Sequence, residues 1–284
     1  MENENNQCWR FKDYVVQIVE HLDKVSANID ENIAFPTGLL DLDRMGAEPH
    51  RGDVIVFGGY IGSGRTTLLA ETVGNQIFKN LKCRVAYLER GHNLYKVAEK
   101  IIRTSMHIDF DRVCIGQIMD KDFVKICDLA DKFCGTDIYF SEIGDLKFEQ
   151  VCDRISELVS TYNLEMVIID GYEFAALDNV WKLKKIAKEN NVAILVTSDI
   201  SEKSNIEKRL PILSDFEGNN GLVKIADVVW ILHRPSYYFD DEDADPFVFK
   251  LLVPKNKHGQ IGVQYLFWNK EKQSFLDMST KTSK

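Results

Sequence analysis

Val54-Ile55-Val56-Phe57 is an apolar run that breaks into Gly58-Gly59-Tyr60-Ile61-Gly62-Ser63-Gly64 and resumes as Arg65-Thr66-Thr67-Leu68-Leu69. A strand, a tight turn and the first turn of a helix follow from that order of residue types. Gly59 and Gly64 bracket four residues and are followed by a cation and a hydroxyl, the spacing of a phosphate-binding P-loop. Glycines let successive backbone N–H groups curl around an anion, and the helix N-terminus behind them adds partial positive charge. A glycine cluster alone is only a turn; the strand, the full spacing, the cation–threonine pair and the apolar helix together point to phosphate. Gly59, Gly62, Ser63, Gly64, Arg65, Thr66 and Thr67 are therefore the expected phosphate cradle, with the Thr66 hydroxyl toward Mg²⁺. The motif calls for lysine where this chain has Arg65. Arginine keeps the charge but is longer, planar and forked, so binding is expected to survive where hydrolysis suffers.

The bulk of the sequence sets bounds. A chain of 284 residues with 45% hydrophobic and 28% charged residues has ample material for a buried core. Met166–Ile169 and Val192–Val196 are strand-sized apolar runs, far too short to span a bilayer. Met-Glu-Asn-Glu-Asn-Asn at the start has neither the basic region nor the apolar core of a signal peptide. Six cysteines are scattered without a C-x-x-C pair, which argues against a metal knuckle or a disulfide framework and fits a cytoplasmic location. The net charge of −9 argues against a broad basic surface of the kind that coats duplex DNA, but not against a narrow basic channel.

Periodicity gives the organisation. Residues 1–8 read as disordered. Phe11, Val15, Ile18, Leu22 and Val25 form a one-sided helical stripe over 9–27, followed by a polar hinge to residue 32. That greasy face packs either on its own domain or on a neighbouring subunit. Residues 33–278 alternate apolar strands with helical segments, the signature of a parallel sheet covered on both faces. Strands are expected at about 53–58, 84–89, 137–140, 165–170, 192–198, 227–232, 247–253 and 262–268, and helices at 65–80, 93–106, 121–134, 147–162 and 178–190. No helix separates the last two strands, so they form an antiparallel hairpin at the sheet edge. Asp240–Asp245 reads as an acidic loop and 279–284 as a disordered tail.

Further candidates lie at the strand ends. Glu165-Met166-Val167-Ile168-Ile169-Asp170 closes on a carboxylate suited to Mg²⁺, the Walker B arrangement. Val85-Ala86-Tyr87-Leu88 closes on Glu89 at the carboxyl end of the neighbouring strand, placed to deprotonate an attacking water. An ion pair with Arg90 or Arg103 is the other reading of Glu89, and Glu173 is a second candidate base. The turn Val253–Gly262 carries Lys255 and Lys257, either solvated hairpin charges or, in a ring-shaped NTPase, a finger reaching a neighbour's γ-phosphate. The long connection Ser198–Leu222 carries Lys203, Lys208 and Arg209, which inside a ring could track a single strand's phosphates.

These pieces in this order resemble the motor domain of DnaB-type replicative helicases. The resemblance is carried by Phe35-Pro36-Thr37-Gly38, Leu42-Asp43, Arg51-Gly52-Asp53, the P-loop, Glu89 and Asp170. It continues through Leu183-Lys184, Ala187-Lys188, Lys208-Arg209 with Pro211, Leu213-Ser214-Asp215 and Ala226-Asp227-Val228-Val229. It closes on Arg234 with Tyr237-Tyr238, then Lys255-Asn256-Lys257, Gly259 and Gly262. It implies a RecA-like α/β fold, a mostly parallel twisted sheet with helices on both faces and a C-terminal antiparallel hairpin. It also implies a hexameric ring, ATP and Mg²⁺ between subunits, single-stranded DNA in the channel, and a linker helix at 9–27 that docks on the next subunit. Replication or mobile-element proteins are the implied partners, and the primase-contacting collar of the family is not part of the resemblance.

The sequence departs from the family at Arg65 for lysine and at Lys257 for arginine. It departs again at Asp199 for the glutamine after Ser198, and at Glu217-Gly218-Asn219-Asn220 for Arg-Glu-Ser-Gly. The expected function is an ATP-binding motor with slow or weakened hydrolysis. The alternative is a catalytically inactive, nucleotide-gated module that loads, caps or inhibits a true helicase.

Overall fold

The computed structural model describes residues 34–78, 83–91, 94–106, 112, 115–174, 179–216, 218–238 and 245–278. The helix expected at 9–27, its hinge, Glu217, most of the acidic loop and the tail 279–284 lie outside the described residues.

One nine-stranded sheet organises residues 34–278, in the order β3-β2-β4-β5-β1-β6-β7-β8-β9. The strands are β1 Val54–Gly59, β2 Val85–Glu89, β3 Ile138–Glu142, β4 Met166–Asp170, β5 Ala193–Asp199, β6 Val228–His233, β7 Val248–Asn256, β8 Gly262–Asn269 and β9 Ser274–Asp277. β1 to β6 are mutually parallel, and β7, β8 and β9 are added antiparallel. The helices are α1 Leu40–Arg44, α2 Arg65–Phe78, α3 Leu94–Met106, α4 Asp120–Cys134, α5 Phe148–Tyr162, α6 Trp181–Glu189, α7 Lys203–Ile206, α8 Asn220–Ile225 and α9 Pro235–Tyr238.

Because strands alternate their side chains, the unbroken apolar runs of β1, β4 and β5 can only be buried on both faces. They are. Val54 and Val56 join one core with Val167, Ile169, Ile194 and the inner face of α5, while Ile55 and Phe57 join another with Met166, Ile168, Leu195 and the inner face of α2. In α5 the buried residues Phe148, Val151, Cys152, Ile155, Leu158 and Val159 recur at three- and four-residue spacing, the stripe that makes this segment a helix. Their burial contributes on the order of 10 kcal/mol gross. The helix starts where Gln150 accepts the Lys147 N–H at 2.9 Å and stops at Asn163, whose φ of 50° is left-handed.

The eight expected strands and five expected helices all form, with shifted ends. The antiparallel hairpin forms as expected, with β9 outside it at the edge, and β7 runs on to Asn256, so Lys255 belongs to the strand and not to its turn. Two features differ further. β2 is not beside β1: β5 and β4 intervene, and β2 pairs with β3 and β4. The short β9 was not expected, because four residues give no readable period; it closes the sheet by pairing with β8.

β9 is anchored to the P-loop helix. The Phe275 N–H donates to Glu71 Oε2 at 2.7 Å, and burial pushes the Glu71 carboxyl from the ordinary 4.5 up to about 8. The fold therefore holds this group neutral at pH values where the unfolded chain ionises it. Its stability is full below about pH 4.5 and falls as pH rises toward 8. Glu71→Gln is expected to leave stability at pH 4 unchanged and to raise it at pH 9 by on the order of 4 kcal/mol. Equal urea midpoints for the two proteins at pH 9 would contradict this.

Candidate nucleotide site

The carboxyl ends of the parallel strands carry most of the expected chemistry. β1 ends in Gly59 and leads through Tyr60–Gly64 into α2, with Gly62 at φ 79° and Gly64 at φ 96°. That conformation suits residues without a Cβ, and it turns backbone N–H groups inward. The sheet register sets the rest: Glu89 is the pairing partner of Asp170, and Gly59 is the partner of Asp199. A cleft of about 570 Å³ opens between these ends and is lined by Arg65, Thr66, Glu89, Asp170, Glu173 and Asp199 among others. The carboxyl edge is where open α/β sheets bind ligands.

Asp170 is 7% exposed and accepts from three hydroxyls. Thr66 Oγ1 donates to Oδ2 at 3.0 Å, Tyr87 Oη to Oδ2 at 2.6 Å, and Thr197 Oγ1 to Oδ1 at 2.8 Å. Thr197 Oγ1 in turn accepts the Gly171 N–H at 2.9 Å. Burial, then the Asp170 charge and its hydrogen bond, hold the Tyr87 phenol well above its usual range, so it stays a donor. Thr66 and Asp170 present only oxygen atoms, the donor set a hard divalent cation takes, and they fit Mg²⁺. Glu89 stands on the same wall, its carboxylate folded over Gly91. Glu173 pairs with Arg90 at 3.3 Å, on the rim.

Arg65 takes a different course. Its Nη1 donates to the Ser198 carbonyl oxygen and its Nη2 to Asp199 Oδ1, so the guanidinium spans from the loop to the end of β5. The register explains the pairing, since Gly59 and Asp199 lie side by side. Tyr60 Oη meets Ser204 Oγ, which ties the loop to α7.

The remaining candidates lie elsewhere. Lys203 and Lys208 are exposed on and just after α7. Arg209 is committed within the chain: Nη1 and Nη2 bind Asp215 at 2.8 and 2.7 Å, and Nε binds Glu207 at 2.6 Å. Lys255 Nζ donates to the Val223 oxygen at 2.8 Å, and Lys257 Nζ to Asp227 Oδ1 at 2.8 Å. Both lysines sit at the amino edge of the parallel strands, because β7 pairs Asn256 with Val228 at the start of β6. At about 3.3 Å per residue, that is roughly 16 Å from the phosphate turn of the same chain.

Sequence reasoning missed Tyr87, Thr197 and the pairing role of Asp199. Tyr87 alone carried a usable signal, a phenol two residues before Glu89 on the same strand face; the other two needed the register.

A mostly parallel sheet with a phosphate turn after its central strand, and carboxylates ending two further parallel strands at the same edge, defines a RecA-like P-loop NTPase fold. The DnaB-like helicase C terminal domain family matches residues 34–277, and the chain belongs to that family. It is similar to the replicative DNA helicase DnaC of Bacillus subtilis (strain 168), 22% identical over 95% of this chain and 62% of the relative. It is also similar to the replicative DNA helicase DnaB of Geobacillus stearothermophilus, 21% identical over the same shares. The chain thus spans about 62% of the length of these relatives. Among solved structures, an isolated ATPase domain shares the fold at a TM-score of 0.77, with 20% identity, 96% of this chain and 100% of that chain. A DnaB-like replicative helicase, solved in a study of its interactions with primase, has a TM-score of 0.76, 19% identity, and coverage of 97% and 68%.

Tyr87→Phe keeps the buried ring and removes one donor from Asp170. A hydrogen bond to a buried charge contributes about 2 kcal/mol. Denaturant unfolding at pH 7 is expected to show a loss of that order; an unchanged midpoint would mean the phenol does not hold the carboxylate.

Proposed function

We propose that this chain is an ATP-binding motor domain of DnaB type that acts on single-stranded DNA in replication as one subunit of a hexameric ring. The observation that carries the reading is the convergence of the phosphate turn, Thr66, Asp170 and Glu89 on one cleft of a family-matched fold. The turn's backbone N–H groups and the α2 N-terminus hold the phosphates. Mg²⁺, when bound by Thr66 and Asp170, neutralises charge on the phosphate oxygens. Glu89 takes a proton from water as the water oxygen attacks the γ-phosphorus. The bond from that phosphorus to the β–γ bridging oxygen breaks, and ADP leaves with the electron pair.

The amino-edge lysines act in trans. Lys255 and Lys257 are too far from their own turn, so their charge serves a phosphate only across a subunit interface. Lysine lacks the bidentate grip of arginine, and an arginine finger contributes about 10³–10⁵ in rate, so turnover is slow. Lys203 and Lys208 face the DNA strand, and the Tyr60–Ser204 contact links their segment to the nucleotide loop. Arg209 shapes that segment through Asp215. Among the described residues no helix is long and apolar enough to cross a membrane.

A second reading is a nucleotide-gated module that does not hydrolyse ATP and loads, caps or inhibits a true helicase. The engagement of Arg65 by Asp199 favours it. ATP hydrolysis with and without single-stranded DNA, beside Glu89→Gln, separates the two. The motor reading expects slow turnover, raised by DNA and lost at least a hundredfold in the variant. Turnover no higher than that of the variant would leave the module.

A further inference from the structure

The phosphate turn faces a second cavity of about 280 Å³, lined by Tyr60, Gly62–Thr67 and one residue from outside the loop, Lys100. Lys100 lies on α3, eleven positions beyond Glu89. Close packing brings it there. A Cβ on Gly74 of α2 would lie 2.4 Å from Ser105 Oγ and 3.5 Å from the Ile101 carbonyl oxygen of α3, so glycine lets the two helices meet without displacing the Ser105 hydroxyl. Val97 and Ile101 then pack in the same core as Leu68, Leu69 and Val73.

The two cations lining this cavity are in different states. The Arg65 side chain is 15% exposed, and its guanidinium is held by the Ser198 carbonyl and the Asp199 carboxylate on β5. Lys100 is partly buried and has no ion pair or side-chain hydrogen bond among the described residues. Burial holds its ammonium below the usual lysine range, with the Asp170 charge opposing that and Lys96 adding to it. A desolvated ammonium without a partner is costly, and an anion in the cavity removes the cost.

We propose that Lys100 supplies the ammonium contact to the β- and γ-phosphates, while Arg65 serves as a strut between the phosphate turn and β5. The inference rests on the nucleotide reading of this edge. A compact ammonium meets a phosphate oxygen as a point charge, the role the P-loop lysine ordinarily fills. The cation of the motif has moved from the loop to the neighbouring helix, and its original position has become structural.

The test is ATP binding by the full chain in the presence of Mg²⁺, measured by titration calorimetry for wild type, Lys100→Met, Lys100→Arg and Arg65→Met. Thermal unfolding without nucleotide serves as the folding control. Lys100→Met is expected to weaken ATP binding at least tenfold while keeping or raising the melting temperature, since it removes an unpaired, partly buried charge. Lys100→Arg is expected to recover part of the loss, and Arg65→Met to weaken binding less than Lys100→Met. Wild-type affinity in Lys100→Met, or a larger loss in Arg65→Met, overturns the assignment alone. A wild-type chain that binds no ATP overturns the nucleotide reading and the assignment with it.

Discussion

One buried carboxylate holds the carboxyl edge together. Asp170 ends β4, yet its oxygens are bonded from α2 through Thr66, from β2 through Tyr87 and from β5 through Thr197. A carboxylate this far from water is stable only with such donors, and hydrogen bonds to a charged acceptor are about twice as strong as neutral ones. The phosphate helix, the strand that carries Glu89 and the strand that ends in Asp199 are thereby fixed at one level. The cleft follows from that fixing. Each departure from the ordinary P-loop has to be accommodated around it.

The arginine at position 65 is accommodated by an aspartate. Gly59 and Asp199 are register partners, so a long forked side chain at the start of α2 finds a carboxylate within reach. At the opposite edge Lys257 is treated in the same way, held on Asp227, which also receives Lys184. The two pairs differ in how easily they part. The Lys257 side chain is 51% exposed, and its buried partner Asp227 also pairs with Lys184, so Asp227 keeps a cation if a neighbouring subunit's phosphate takes Lys257 away. Arg65 is far less exposed and carries a second bond to a backbone carbonyl, which favours its staying on β5. In the proposed reading one cation is a movable finger and the other a fixed strut.

Much of this was legible in the sequence because its signals are local. The apolar runs of β1, β4 and β5 announce a sheet buried on both faces, and the glycine spacing at 59–64 announces the turn. Glu89 and Asp170 could be singled out as strand-terminal carboxylates. What the sequence could not show was which strand lies beside which. Without the order β2-β4-β5-β1, Glu89 is misplaced beside the phosphate strand, and Asp199 reads only as a lost glutamine instead of as the partner of Arg65. Lys100 was illegible for the same reason: its distance from the turn depends on how closely α3 packs against α2, a tertiary fact visible where Gly74 meets Ser105. β9 was too short to have a period, and a buried glutamate on α2 fixes it in place.

The most direct test of the account is whether the Asp170 edge binds a nucleotide through a divalent cation. Equilibrium ATP binding would be measured with Mg²⁺ and with a chelator, for the wild type and for Asp170→Asn. The account predicts tight binding only for the wild type with Mg²⁺, a clear weakening on chelation, and little further effect of chelation in the variant. Equal wild-type affinity with and without Mg²⁺ would contradict the role given to Thr66 and Asp170.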